Sequence, residues 1–132
     1  MGAWSAGPFD NDDAADFLME LEDAPSWQTV RRVFDEVLSH ADYVELSEGA
    51  RVCAAAALIT IATGKSDVSA QDIHMTLDAM GPLPDGLAFA ARQALRRVST
   101  GDSEIRELYL DTGNYAGWTE TVAAIDQALG TP

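Results

Sequence analysis

Residues 52–62 read Val-Cys-Ala-Ala-Ala-Ala-Leu-Ile-Thr-Ile-Ala, an eleven-residue apolar stretch interrupted only by Thr60. The stretch predicts the second half of a helix that runs from about Ser47 to Thr63 and stops at Gly64, because glycine commonly follows a helix C-terminus. A helix that is apolar nearly all round must be covered on most sides by other helices. The stretch is also well short of the roughly 20 apolar residues that cross a bilayer. We therefore expect it to form the central helix of an all-α bundle.

The rest of the chain shows the apolar spacing of amphipathic helices and almost no strand pattern. Apolar residues recur at i, i+3, i+4 and i+7 in further segments, and Pro25, Gly81 and Gly113 end three of these segments. We expect one compact domain over residues 1–132, with about six or seven helices around the central Ala-rich hydrophobic helix. The predicted inward faces include Phe17, Phe34, Leu77, Leu95, Leu108 and Ile125.

The first thirteen residues, Met-Gly-Ala-Trp-Ser-Ala-Gly-Pro-Phe-Asp-Asn-Asp-Asp, indicate a folded N-terminus. Disordered leaders lack large aromatic residues because they have no core in which to bury them. Residues 1–11 are therefore expected to form an ordered loop packed on the body. Asp10 is the predicted N-cap of the first helix, with Phe9 and Ala14 packed across it. Four aromatic residues are assigned a structural role: Trp4, Phe9, Trp27 and Trp118.

This opening resembles that of the bacterial domain of unknown function 4259, whose members begin Met-Gly-x-Trp-(small)-x-Gly-x-Phe-Asp-Asn-Asp. Three later features also fit that family: the Ala-rich stretch that ends at Gly64, the segment Ser-Glu-Ile-Arg-Glu-Leu-Tyr at residues 103–109, and Trp118. The resemblance runs along the whole chain. Because the family has no assigned activity, the resemblance implies no catalytic or binding residues.

The charge balance restricts the possible partners. Eight Lys and Arg residues stand against 22 Asp and Glu residues, a formal net charge of −14. Such a surface repels phosphate, so we expect neither nucleic acid nor a membrane as partner, whereas a basic protein remains open. High negative charge also serves solubility. No basic residue precedes Arg31, so no secretory leader is visible, and we expect a cytoplasmic protein that is a monomer or a weak homodimer.

Few residues suggest catalytic chemistry. Cys53 is the single cysteine and lies inside the apolar stretch, which indicates a packed thiol. His74 and Asp78 share one helix face, but a zinc site needs three or four ligands, and His40 lies at a helix C-terminus, which favours its charged form. Phosphate-loop, nucleophile-elbow and Cys-x-x-Cys motifs are absent from the sequence. We therefore expect no catalytic residue, no metal ligand and no cofactor.

An acidic cluster near the N-terminus is the one candidate binding site. Its spacing does not fit a calcium loop, because the roles counted from Asp10 would fall on Ala14, Ala15 and Leu21. The acids can begin a helix, whose N-terminus favours negative charge, or they can recognise a partner. The candidate partner-binding residues are Asp10, Asn11, Asp12, Asp13, Asp16 and Glu20.

Three functions remain open at this point. The favoured hypothesis is a non-enzymatic protein-binding module, similar in manner to an immunity protein or an inhibitor, whose acidic residues, with a second stretch at 35–48, dock a basic partner. The second is a small-ligand binder or enzyme with a pocket between helices, lined by Trp4, Trp27, Tyr43 or Trp118. The third is a protein that mimics DNA, whose carboxylates stand in rows at the spacing of phosphates and occupy a nucleic-acid-binding protein. We also expect the helix that carries Arg92 and Arg97 to be tied to an acidic helix.

Overall fold

The computed structural model describes residues 7–9, 11–39, 42–66 and 71–130. Within these ranges the chain forms seven helices and no strand, which confirms the expected all-α bundle. Trp4, Asp10 and His40 lie outside the described residues. The helices are α1 (Asp12–Asp23), α2 (Trp27–Ser39), α3 (Leu46–Ala62), α4 (Gln71–Met80), α5 (Leu87–Thr100), α6 (Glu104–Thr112) and α7 (Tyr115–Leu129).

Helix α3 is the centre of the bundle, as predicted. Residues 49, 50 and 52–61 are buried, and the helix packs against α1, α2, α4, α5, α6 and α7. Its apolar surface is thus covered by neighbours around the circumference. The helix begins at Leu46, and Gly64, with φ of +74°, follows its end in the left-handed conformation that glycine tolerates best. Among the described helices, none combines the length and the hydropathy that a bilayer crossing requires.

Gly49 allows α3 and α6 to approach closely. A Cβ atom at this position would lie 2.6 Å from Ile105 Cγ2 and 3.4 Å from Val98 Cγ1. Ile105 is 1% exposed and Val98 is fully buried, so neither side chain has space to move aside. The packing therefore requires glycine at residue 49, although glycine lowers the intrinsic stability of a helix.

Hydrogen bonds tie the connection between α2 and α3 to the start of α6. Val44 N donates to Asp102 O at 3.1 Å, and Glu104 N donates to Val44 O at 2.9 Å, which forms an isolated parallel bridge. Ser103 between them is fully buried, caps α6 and donates from Oγ to Val98 O at 2.6 Å. The non-helical segment before α3 is thereby fixed to the core.

The first helix begins later than predicted. Asn11 is its N-cap, because the Asn11 Oδ1 accepts a hydrogen bond from Ala14 N at 2.8 Å, so the prediction of Asp10 as N-cap is wrong. Asn11 is only 7% exposed, and a neutral amide costs less to bury than a carboxylate. Asp12 and Asp13 then occupy the first turn, where the helix dipole favours negative charge.

Three of the aromatic residues given a structural role lie at packing positions. Trp27 is 6% exposed, and its Nε1 donates to Gly81 O at 3.0 Å, which joins the start of α2 to the end of α4. Trp118 is buried and stacks on Tyr109 with ring centroids 5.1 Å apart. Phe9 is half-buried and packs against the core. These contacts place aromatic surface at helix junctions.

Helices α5 and α7 are linked by an arginine–carboxylate pair. Arg92 Nε donates to Asp126 Oδ1 at 3.0 Å, Arg92 Nη2 donates to Asp126 Oδ2 at 3.3 Å, and Arg96 Nη2 lies 3.7 Å from the same Oδ2. The hydrogen bond from Arg92 lowers the pKa of the Asp126 carboxyl. Arg97 instead donates to the backbone carbonyls of Asp42 and Asp102. The predicted tie of the arginine helix to another helix is therefore made by Arg92.

Gly49→Ala is expected to lower the free energy of unfolding by about 1–3 kcal/mol, because the added methyl overlaps Ile105. Urea unfolding measures the change. In an Ile105→Ala background the overlap is removed, and the same substitution should become neutral or stabilising through its better helix propensity. An equal loss in both backgrounds would contradict the close approach of α3 and α6.

Asp126→Asn is expected to be less stable than the wild type at neutral pH. Because Arg92 holds the folded-state pKa of Asp126 below its unfolded value of about 4, the pair stabilises the fold above that value. The contribution is lost as the pH falls through the folded-state pKa, so the two proteins should converge in acid. Thermal unfolding across pH measures the difference, with Asp111→Asn as an exposed control on α6. A gap that stays constant at every pH would contradict this assignment.

Candidate functional site

Helix α1 has a buried apolar face and an acidic outer face. Ala14, Phe17 and Leu21 are buried, whereas six of the twelve residues of the helix are carboxylates and none is Lys or Arg. Positions separated by four, eight and eleven residues share one face of a helix, so an acidic stripe runs along the outside of α1. The exposed carboxylates of α1 are Asp12, Asp16, Glu20, Glu22 and Asp23.

The structure separates five of the six predicted partner-binding residues into groups, and the sixth, Asp10, lies outside the described residues. Asp12, Asp16 and Glu20 are exposed on the outer face, and Asp13 is half-buried beside them. Asn11 is buried with its side chain committed to capping α1. The outward set thus excludes Asn11 and includes Glu22 and Asp23, which were not among the six named candidates.

The last turn of α1 carries acids where a helix disfavours them. Glu20, Glu22 and Asp23 lie close to the negative end of the helix dipole, and the last turn contains no basic residue. Asp16 and Glu20 also form a like-charge pair at i, i+4, which is unfavourable by a few tenths of a kcal/mol. These carboxylates therefore reduce the stability of α1.

Helix α4 packs beside α1 and extends the acidic surface. It contributes two carboxylates, and it has no Lys or Arg. Between the two helices lies an open groove of about 390 Å³. Its lining residues are Glu22, Pro25, Asp72, Met75, Thr76 and Ala79. We name the exposed carboxylates of α1 together with this groove the acidic face.

Two large apolar side chains are exposed on the same pair of helices. Met19 is 62% exposed on α1, and Met75 is 61% exposed on α4. Met75 lines the groove, and Met19 lies one helical turn before Glu22, another lining residue. Methionine is flexible and polarizable, which suits surfaces that adapt to a partner. The acidic face thus offers apolar contact area beside its charge.

Basic residues are placed on other helices. In the described ranges the arginines lie on α2, α3, α5 and α6, and Lys65 follows the end of α3. On α5, Arg92 and Arg96 engage Asp126 on α7. The distribution of charge over the elements is therefore uneven, because α1, α4 and α7 carry acids but no Lys or Arg, and on α7 Asp126 is paired with the arginines of α5.

The second acidic stretch, residues 35–48, is partly used inside the fold. Glu48 Oε1 accepts from Glu45 N at 2.9 Å at the start of α3. Tyr43 Oη donates to Glu107 Oε1 at 2.9 Å, and burial followed by that hydrogen bond raises the pKa of Tyr43 to about 12. Leu46 N donates to a carboxylate oxygen of α6 at 3.0 Å. Residues of this stretch are therefore engaged inside the fold, by Glu48 at the start of α3 and by two carboxylates of α6.

His74 and Asp78 are both exposed and line a cleft of about 250 Å³ at the end of α4. The described residues contain no group of three or more His, Cys, Asp or Glu side chains able to hold a metal ion. Two potential ligands on one helix face fall short of a zinc site. The pair does not define a metal centre.

Of the aromatic residues proposed to line a pocket, Trp4 lies outside the described residues, and the other three enclose little space. Trp118 borders a cavity of about 10 Å³, below or near the volume that one water needs. Trp27 and Trp118 are buried, and the Tyr43 hydroxyl is engaged by Glu107. Cys53 also borders this cavity, and burial raises the pKa of its thiol to about 12, so the thiolate needed for nucleophilic attack is scarce near neutral pH.

The fold and surface together define a small acidic all-α bundle in which two neighbouring helices, α1 and α4, carry acids but no Lys or Arg. The profile of the family described as domain of unknown function, DUF4259, matches residues 2–121. The chain therefore belongs to the DUF4259 family, as its opening motif indicated. No curated protein and no solved structure matches the chain.

Removing the charge of the last turn of α1 with Glu22→Gln/Asp23→Asn is expected to raise the free energy of unfolding by about 0.3–1 kcal/mol, because both charges oppose the helix dipole. Asp12→Asn/Asp13→Asn at the other end of the same helix should lower it by a similar amount. Urea unfolding at low salt measures both double variants. Two changes of the same sign would contradict the dipole argument.

Proposed function

We propose that this protein is a non-enzymatic protein-binding module of the bacterial cytoplasm that holds a basic protein on the acidic face, in the manner of an inhibitor or immunity protein. The supporting observation is the group of carboxylates in the last turn of α1, which has no basic residue of its own. Charges that lower helix stability and pair with no basic side chain in the described part of the chain are explained by cations supplied from outside the chain. The free protein is proposed to be a monomer or a weak homodimer.

Charge determines the expected mode of association. An excess of negative charge attracts a basic partner over distances of about one Debye length, roughly 10 Å at 0.1 M salt, and accelerates encounter. Affinity and association rate should both fall as salt rises. Met19 and Met75 add apolar contacts that persist at higher salt.

The DNA-mimic alternative has less support. It requires carboxylates in two parallel rows, and the stripe on α1 is one such row. On α4 the two carboxylates, Asp72 and Asp78, are six residues apart and therefore point to different sides of the helix. The two neighbouring acidic helices do not form a matched pair of rows.

A small-ligand site is the second candidate function. A cleft of about 290 Å³ lies between α5 and α7, with apolar Leu95 and Val122 at its base and Arg96 at its edge. Asp126 in the same cleft is already paired with Arg92, so its carboxylate is less able to bind a polar group of a ligand. The acidic face is the better supported site.

The function is tested by affinity capture from the lysate of the native host at about 0.05 M and about 0.5 M salt. We expect a basic protein to be retained at low salt and released at high salt. The variant Asp12→Asn/Asp16→Asn/Glu20→Gln should fail to retain it at low salt, because three of the four charges of the stripe are gone.

A matched control removes the same number of charges elsewhere. Asp85→Asn/Asp111→Asn/Glu120→Gln changes three exposed carboxylates outside α1 and α4 and gives the same net charge as the test variant. The control should capture the partner almost as well as the wild type. Equal losses in the two variants would show that net charge alone, and not the acidic face, retains the partner.

A further inference from the structure

Resting on the proposed function, we infer that the groove between α1 and α4 receives one large apolar side chain of a basic amphipathic helix, whose Lys and Arg residues lie along the carboxylates of α1. Three observations lead to it.

The first observation is the mixed lining of the groove. Pro25, Met75 and Ala79 contribute apolar surface, and Glu22 and Asp72 place one carboxylate on each of the two helices that border the groove. The volume of about 390 Å³ is at the lower end of the range of small-molecule pockets. An apolar side chain flanked by cations is complementary to such a site in both shape and charge.

The second observation is the exposure of Met75. At 61% exposed, its thioether side chain presents apolar surface to water at the groove. A partner side chain that fills the groove would remove this surface from water, which favours binding. Met19, at 62% exposed on α1, extends the apolar contact area beyond the groove.

The third observation is the spacing of the acids. Asp12, Asp16 and Glu20 repeat every four residues, and Asp23 continues the stripe, so the charges follow the helical period over about 16 Å. A partner helix that lies along α1 presents Lys and Arg at the same period on its own face. A partner helix of about three turns can therefore place its Lys and Arg residues along the stripe. One of its apolar residues then enters the groove.

Two synthetic peptides of identical composition test the inference. The first is a fluorescent peptide of about 18 Lys, Leu and Trp residues arranged with an apolar helical face, and the second is the same composition scrambled so that no apolar face exists. Fluorescence anisotropy at about 0.05 M salt measures both dissociation constants. We expect the amphipathic peptide to bind at least tenfold more tightly than the scrambled one.

The groove is then tested by substitution at an exposed position. Met75→Ser should weaken binding of the amphipathic peptide about five- to tenfold and leave the scrambled peptide unaffected. Phe89→Ser is the matched control, because Phe89 is 66% exposed on α5, outside the groove. Unchanged thermal unfolding of both variants shows that the folds are intact.

The outcomes separate the two proposals. If the wild type binds both peptides equally well, the acidic face retains its proposed function and the groove inference is overturned. The same conclusion follows if Met75→Ser and Phe89→Ser have equal effects. If neither peptide binds, the acidic face does not recognise basic segments, and the proposed function fails together with the inference.

Discussion

The rest of the structure depends on covering α3. From residue 52 to residue 61 this helix has no polar face, and Thr60 satisfies its hydroxyl by donating to Ala57 O at 2.6 Å within the helix. Burying such a helix requires neighbours on all sides, which the other six described helices supply. Each of those helices then needs only one apolar stripe, and its outer face is free to carry charge. The high negative charge of the surface is compatible with the fold, because the stability of the core comes from the burial of α3 and not from ion pairs at the surface.

Much of the fold could be predicted from the sequence because its signals are local. Helix period, alanine content and terminating glycines are read within about 15 residues, and they gave the seven helices and the central position of α3. The sequence predicted the first residue of α1 less well than it predicted the helices themselves, since Asp10 and Asn11 are equally good N-cap residues by type. Burial selected Asn11, and burial depends on how α1 docks on the core. The glycine requirement at residue 49 was invisible for the same reason, because Ile105 is distant in sequence.

The candidate site shows the same distinction between features that are local in the sequence and features that depend on packing. The acids of α1 could be found from the sequence, since six of them lie within twelve residues that contain no Lys or Arg. The groove could not, because it exists only where the end of α1 meets α4, about fifty residues later in the chain. Met75 carried no signal of its own, because a methionine on an amphipathic helix is ordinarily assigned to the core. Only its exposed position beside Asp72 and Glu22 identifies it as surface.

The distribution of acids argues against solubility as a sufficient explanation. Charge that serves solubility alone can be placed on any exposed position, and the least costly positions are helix N-termini, as for Asp12 and Asp13. The chain instead adds Glu20, Glu22 and Asp23 to a last turn that already faces an unfavourable dipole. In the same bundle, Asp126 is placed beside two arginines, so the fold does pair carboxylates where pairing serves structure. The stripe on α1, whose carboxylates pair with no basic side chain among the described residues, is therefore a local feature of one surface, beside a groove that combines an exposed methionine with acidic edges.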